Sequence, residues 1–300
     1  MPKSSEIKRY ALDQSPLYKL ANRKKLAGLL KISTCELRTL SRAANSLYRE
    51  FPVLKKNGGT RDVENPARQL KLVQARLARW LSRIAPPDYL FCPVKGRCYV
   101  GNAALHRGQR VVHCLDVRKY FPSTPARRVF WFFHKVMKCE RDVAATLTAL
   151  STYQGHLPTG SPLSPILAYY AHYDVWQAIA SICREYGYKL SVYIDDVTVS
   201  GASICAAVLW RIKKEIHRSG LRYHKEKSYY DGISEITGVI VSGDRLNTPN
   251  RQHKKIVAIK AQIRATRRDV EAEKLREKLG GLYAQARQVS AMASERPVAR

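Results

Sequence analysis

The sequence predicts an α+β fold, and three observations carry that prediction. Two short runs of apolar and β-branched residues, Val111–Val117 and Leu190–Ser200, have the composition of buried strands. Longer segments around them place apolar residues at helical spacing. Both strand-like runs also carry acids, Asp116 in the first and Asp195-Asp196 in the second. Buried carboxylates are normally paired or bound to a metal, so the acids point to a site rather than to packing.

Taken in order, residues 1–50 are polar and basic, with Leu26, Leu29 and Leu30, then Leu37, Leu40, Ala44, Leu47 and Tyr48 at helical spacing. Ser33 or Thr34 followed by Glu36 reads as a helix start, and two or three helices are expected. Asn57-Gly58-Gly59 marks a turn into a short extended piece, Thr60–Val63, that ends before Pro66. From Ala67 to Ile84 the residues Leu70, Val73, Leu77, Trp80, Leu81 and Ile84 share one helical face, with Arg and Lys on much of the remainder. Pro86-Pro87 breaks that helix, and residues 88–106 read as loop.

After the Val111–Val117 strand, residues 125–150 form an aromatic helical region whose Phe130, Trp131, Phe132 and Phe133 suit a core. His156–Pro165 is a Gly/Pro/Ser loop opening a helix from Ile166 to Glu185, a place where backbone N–H groups can meet an anion. The Asp-Asp stretch reads as strand, tight turn and strand, the bland alternative being an acidic turn in water. A helix follows from about Ala202 to Ser219, then His224-Lys-Glu-Lys-Ser228 and a strand, Ile236–Ser242. The last fifty residues hold 13 Lys/Arg against 5 Asp/Glu, with Ile256, Ile259, Ile263, Leu275, Leu279 and Leu282 at helical spacing. That is a basic amphipathic helical module.

The charge balance limits the partners. Lys+Arg 53 against Asp+Glu 24 gives a formal net charge of +29, a surface that attracts nucleic acid. The seven cysteines (35, 92, 98, 114, 139, 183, 205) include no C-x-x-C pair and read as reduced thiols. No stretch reaches the length of a membrane span and the N-terminus has no apolar leader, so a soluble cytoplasmic protein is expected.

A strand ending in Asp116, a Gly-Pro loop before a helix, and an Asp195-Asp196 hairpin occur in the order used by polymerases with a palm domain. Phosphoryl transfer to a primer hydroxyl uses two divalent ions roughly 4 Å apart, and carboxylates on neighbouring strands can hold them. At these residues the chain closely resembles the reverse transcriptases, and within them the retron type. The resemblance rests on Leu115-Asp116-Val-Arg-Lys-Tyr-Phe121-Pro-Ser, Leu157-Pro-Thr159-Gly160-Ser-Pro-Leu-Ser-Pro165, Tyr193-Ile-Asp195-Asp196 and His224-Lys-Glu-Lys227-Ser. Arg61…Pro66…Leu70-Lys71…Gln74 is similar to the fingers entry segment. Asn102-Ala-Ala-Leu-His106 matches the retron N-A-x-x-H, and Ile236-Thr237-Gly238 is similar to its V-T-G. The resemblance spans about residues 50–245.

The resemblance implies a right-hand polymerase: a helical N-terminal extension (1–55), fingers and a palm with a small antiparallel sheet (56–245), and a basic helical thumb (246–300). Asp116 and Asp195 are expected to ligate two Mg²⁺ ions, with Asp196 a weaker ligand and Val117 offering its backbone carbonyl. Phe121 is expected to exclude a ribose 2′-hydroxyl, Tyr193 to support the primer end, and Lys227 to protonate or neutralise pyrophosphate. Arg61, Thr159 and Gly160 are expected at the nucleotide, Thr159 standing where many relatives carry Gln; Ile194 stands where many retron enzymes carry Ala. Asn102, His106, Thr237, Gly238, Arg251, Lys254, Lys255, Arg264, Arg267 and Arg268 are expected to bind RNA.

The implied activity is reverse transcription of a cognate structured non-coding RNA from deoxynucleoside triphosphates. Priming from a 2′-hydroxyl of that RNA would give branched multicopy single-stranded DNA, with a separate effector protein in anti-phage defence. The alternatives are another bacterial reverse transcriptase (group II intron, diversity-generating or template-independent) and a non-catalytic RNA-binding module that keeps the palm fold.

Overall fold

Arg23–Leu30 (α1) and Thr34–Ala43 (α2) open the computed structural model, which describes residues 8–54, 58–266 and 269–294. Ser33 caps α2 through a reciprocal pair: its Oγ accepts from Glu36 N–H at 3.1 Å, and Glu36 Oε2 accepts from Ser33 N–H at 2.7 Å. The helical spacing expected to run on through Leu47 and Tyr48 stops at Ala43. After a single 3₁₀ turn the chain becomes the strand Tyr48–Leu54 (β1), which pairs antiparallel with Thr60–Pro66 (β2) from Tyr48↔Pro66 to Leu54↔Thr60. The division expected at residue 55 therefore falls inside one hairpin.

Arg68–Leu81 (α3) buries Leu70, Val73, Leu77 and Leu81, the face that the spacing picks out. The segment read as loop contains a short strand, Leu90–Cys92 (β3), and a short helix, Tyr99–Ala104 (α4). Val111–Val117 (β4) follows, and then Ala126–Trp131 (α5), a π-helical turn at Phe132–Val136 and Arg141–Ser151 (α6). Ser164–Ala171 (α7) and Tyr173–Glu185 (α8) form the helical stretch after the Gly/Pro loop, broken at His172. Lys189–Tyr193 (β5), Asp196–Gly201 (β6), Ala206–Arg218 (α9) and Tyr223–Tyr230 (β7) complete the central unit.

The central sheet runs β3-β5-β6-β4-β7. It is mixed rather than purely antiparallel, because β3 pairs parallel with β5 while the other pairs are antiparallel. Alternation decides which face each side chain meets. Leu115, Val117, Val197 and Val199 enter the main core, shared with α1–α3 and α5–α9. Val112 and Cys114 turn to the opposite face, and Asp116 follows them in phase.

The strand expected over Ile236–Ser242 is a hairpin. Ile233–Ile236 (β8) turns at Thr237-Gly238 into Val239–Ser242 (β9), and Gly243-Asp244 turns again into Arg245–Asn247 (β10). Thr237 and Gly238 adopt φ +46° and +83°, the second suited to a residue without Cβ. Asn250–Ala265 (α10) and Asp269–Ser294 (α11) follow; the basic character expected of both belongs to α10 alone, since α11 balances four Lys/Arg with four Asp/Glu. A second, smaller core of Val100, Ala103, Val112, Ile236, Val241 and Val289 binds α4 and the β8–β10 sheet to α11. Among the described residues no helix is long and apolar enough to cross a membrane.

Candidate active site

Backbone pairing brings the three acids together. Asp116 on β4 lies opposite Asp196 on β6, and Val117 N–H donates to the Asp195 carbonyl at 2.8 Å. Tyr193 pairs with Asp196 across a two-residue turn of Ile194 and Asp195. Ile194 holds φ +58°, an outlier for a β-branched side chain that costs about 1–3 kcal/mol and is imposed by the strands on either side. Its side chain packs partly into the main core.

The acids repel one another. Burial, then the negative charges of Asp195 and Asp116, push Asp196 up to about 6, while Lys227 and Lys225 oppose the rise. Asp195 is raised first by burial and further by Asp116, with His224 and Arg61 pulling it down. This places Arg61 of β2 within electrostatic reach of the acids. Among the described residues no three His, Cys, Asp or Glu side chains are closed into a metal cage. The donor set is nonetheless one of hard oxygens, and Asp195 and Asp196 stay raised despite the cations nearby; that chemistry fits a divalent cation such as Mg²⁺.

The cations opposite come from β7. Lys225 pairs with Asp116 and Tyr223 with Val117, so His224 is an extra residue in the ladder. This bulge re-aims its neighbours. His224 Nδ1 lies 3.6 Å and Lys225 Nζ 3.8 Å from the Asp116 carboxylate. Lys225 and Lys227 line a cleft of about 580 Å³ together with Asp116, Tyr193 and Asp196. The cleft's far wall holds Glu235 and Arg251, which form a two-pronged ion pair, one prong at 2.8 Å. Burial pushes the Tyr193 phenol up to about 12, helped by Cys92 beside it. Phe121 is half-buried against Tyr120, with ring centroids 6.0 Å apart.

The Thr159 hydroxyl is engaged within the protein. Its Oγ1 donates to the Asp62 carbonyl at 3.0 Å and accepts from Glu64 N–H at 3.1 Å, so its proton and one lone pair are committed to β2. Glu64 reciprocates, accepting from Thr159 N–H at 3.0 Å and bonding His156 Nε2 at 2.8 Å. Gly160 makes this contact possible, since a Cβ there would lie 2.6 Å from the Glu64 carbonyl oxygen. The loop and β2 thus form one latch.

The expected RNA contacts divide by burial. His106 is 0% exposed, with its ring nitrogens 2.6 Å from Ser200 Oγ and 2.8 Å from Ser191 Oγ. Asn102 is 1% exposed and donates to Thr237 Oγ1 at 3.3 Å. Direct RNA contact does not fit either residue: both brace the sheet and the β8–β9 turn from within. Thr237, Gly238 and Arg251 line the cleft, while Lys254, Lys255 and Arg264 project from α10 into solvent. Arg267 and Arg268 lie outside the described residues.

Sequence reasoning missed Glu64, Glu235, and the closeness of His224 and Lys225 to Asp116. Only the last left a signal, basic residues repeating along a strand two apart from Lys227.

An acid pair on adjacent antiparallel strands, a third acid in the hairpin turn, and a basic strand beside them define a polymerase palm. The family model described as reverse transcriptase (RNA-dependent DNA polymerase) matches residues 53–231. The chain belongs to this family, and within it to the retron type. It is similar to the Retron Mx65 reverse transcriptase of Myxococcus xanthus, 29% identical over 99% of this chain and 74% of that protein. It is 28% identical to the Retron Ec86 reverse transcriptase of Escherichia coli, over 76% of this chain and 73% of that protein. The Retron Se72 reverse transcriptase of Salmonella heidelberg is 30% identical over 58% of this chain; the match spans about half of that relative, 47% of its length. Enzymes of the family generally use divalent metal ions.

Proposed function

We propose that the chain copies a cognate structured non-coding RNA into DNA, primed from a 2′-hydroxyl of the same RNA. The product is a branched RNA–DNA molecule, and the biological setting is anti-phage defence with a separate effector protein. The observation that carries the catalytic part is the register Asp116↔Asp196, with Asp195 in the turn beside them. A module that only bound RNA would gain nothing from like-charged, half-buried acids set side by side on adjacent strands.

Asp116 and Asp195 would hold both of two Mg²⁺ ions, with Asp196 and the Val117 carbonyl as further ligands. The chemistry supplied by such ions is the in-line clamping of attacking and leaving oxygens. Lys227, on the same wall of the cleft as Lys225, neutralises or protonates the leaving pyrophosphate. Arg61 meets the triphosphate from β2, and the Thr159–Glu64 latch holds that strand in place. Phe121 narrows the space beside the sugar, and Tyr193 supports the primer end. In this reading the helices before Tyr48 act as an extension, the β1–β2 hairpin through residue 245 as fingers and palm, and 246–300 as a thumb. Lys254, Lys255, Arg264, Arg267 and Arg268 grip phosphates there, so binding weakens steeply with salt, while Arg251 is held by Glu235.

Primer extension with Mg²⁺ on an RNA template tests the reading. Asp195→Asn removes synthesis and leaves RNA affinity within about twofold, because the acid contributes to chemistry and not to phosphate contacts. Equal loss of synthesis and RNA binding contradicts this separation of roles.

A further inference from the structure

The side of the sheet opposite the cleft carries a surface of different chemistry. Helix α9 buries Val208, Leu209, Ile212 and Ile216 and turns Trp210 outward, 49% exposed. Lys214 and His217 follow Trp210 at i+4 and i+7 on the same stripe. The Lys214 ammonium lies 5.9 Å over the indole, which meets the His217 ring edge-on at 6.4 Å. His217 stacks on Tyr223 with centroids 5.2 Å apart and planes 12° from parallel. Beside this stripe, Arg211 sits 5.8 Å over Tyr186, itself 43% exposed and stacked on Tyr188.

Cation–π pairs at an exposed site stabilise a helix modestly, but they do not require an indole and a phenol half in water. Alternating aromatic faces and cations are what a single-stranded polynucleotide uses: bases stack on rings, and phosphates meet Lys and Arg. Residues 205–226 hold six Lys/Arg against two Glu. Arg211 also meets Glu185 beside Tyr186 at 3.7 Å, yet the face stays net positive and complementary to such a strand. The strip also ends at the active site. Tyr223 closes the ring series, and its neighbour His224 is the bulge residue 3.6 Å from Asp116. β7 is an edge strand of the sheet, leaving a short route around it from the cleft to the strip.

We propose that the strip Tyr186–Trp210–His217–Tyr223 is a stacking platform for single-stranded RNA passing around the β7 edge. A duplex keeps its base faces stacked inside and cannot use these rings, so the platform discriminates by strandedness rather than by sequence. The occupant rests on the reading of the cleft as an RNA-copying site; the platform's binding does not depend on catalysis.

The test uses the full chain, a fluorescein-labelled single-stranded oligoadenylate RNA, and a blunt RNA duplex of the same charge. The double variant W210A/Y186A binds the single strand about 10-fold or more weakly, binds the duplex as before, and melts at an unchanged temperature. W210F retains affinity but loses the part of the fluorescence quench that RNA induces at the exposed indole. R211A/K214A lowers the slope of log affinity against log salt by about one to two. Unchanged single-strand affinity in W210A/Y186A, or an equal loss for the duplex, overturns the proposal. Primer extension on a short preannealed template separates it from the catalytic reading. W210A/Y186A extends normally there, whereas Asp195→Asn fails to extend yet keeps the single strand bound.

Discussion

Asn102 and Thr237, 135 positions apart in sequence, meet through a side-chain hydrogen bond of 3.3 Å, and Thr237 passes its own proton to the Tyr99 carbonyl at 3.0 Å. The two short signatures of the retron type therefore touch inside the protein. Each fixes the other: α4 holds the β8–β9 turn that faces the cleft.

Thr237→Val removes the hydroxyl from this pair and leaves the buried Asn102 amide without its acceptor. The expected cost is about 1–3 kcal/mol of unfolding free energy. Asn102→Ala costs a similar amount, and the double variant falls short of the sum by about 0.5 kcal/mol or more, because both changes break one contact. Denaturant unfolding measures all three; full additivity contradicts the coupling.

The His106 imidazole is held neutral, pushed by burial and then by Lys189 down to about 3, and His172 is pushed to about 3 by burial and the neighbouring Arg128. An unfolded imidazole titrates near 6.5, so below that pH the unfolded chain binds the extra protons. Stability is fully present above about pH 6.5 and declines as the pH falls toward 3, each histidine contributing about 1.4 kcal/mol per pH unit. His106→Gln loses stability at pH 7 but shows a shallower decline between pH 6 and 5 by about that one-histidine slope. Urea unfolding at a series of pH values reads the difference, and an unchanged slope contradicts the assignment.

Gly160→Ala sets a methyl carbon 2.6 Å from the Glu64 carbonyl oxygen, a backbone atom that can yield only by moving β2. Overpacking of this kind costs about 1–3 kcal/mol. The strand that shifts carries Arg61, so nucleotide KM rises about 10-fold while RNA affinity is retained. Steady-state extension against nucleotide concentration checks this.

Phe121→Ala opens the space beside the half-buried ring. Discrimination against ribonucleotides then falls about 10- to 200-fold, the range expected when one apolar obstruction is removed. Extension with matched deoxy- and ribonucleotides gives the ratio; no change excludes Phe121 as the obstruction.

The acid-bearing strands were legible because their apolar runs leave carboxylates with nothing else to do. The hairpin follows from that pattern one residue out of place, since the turn is Ile194-Asp195 and Asp196 opens β6; the register Asp116↔Asp196 has no signature in the sequence. Strand β1 was hidden because Leu47 and Tyr48 continue the spacing of α2, and its exposed residues, Pro52 among them, show no alternation. Strand β3 has three residues and α4 six, too few for any period to emerge. Ile236–Ser242 reads as one strand until Thr237 and Gly238 adopt positive φ, which apolar pattern does not encode. The Glu64 latch was invisible for another reason: its partners Thr159 and His156 lie more than ninety residues away.

The α10–α11 pair stands on two feet. At one, Arg251 is locked to Glu235; at the other, Val289 is buried against α4 and Arg107 donates to the Met292 carbonyl. An arch fixed at both springings cannot swing open like a door hung on one hinge. Loosening one foot alone therefore leaves the pair tethered by the other.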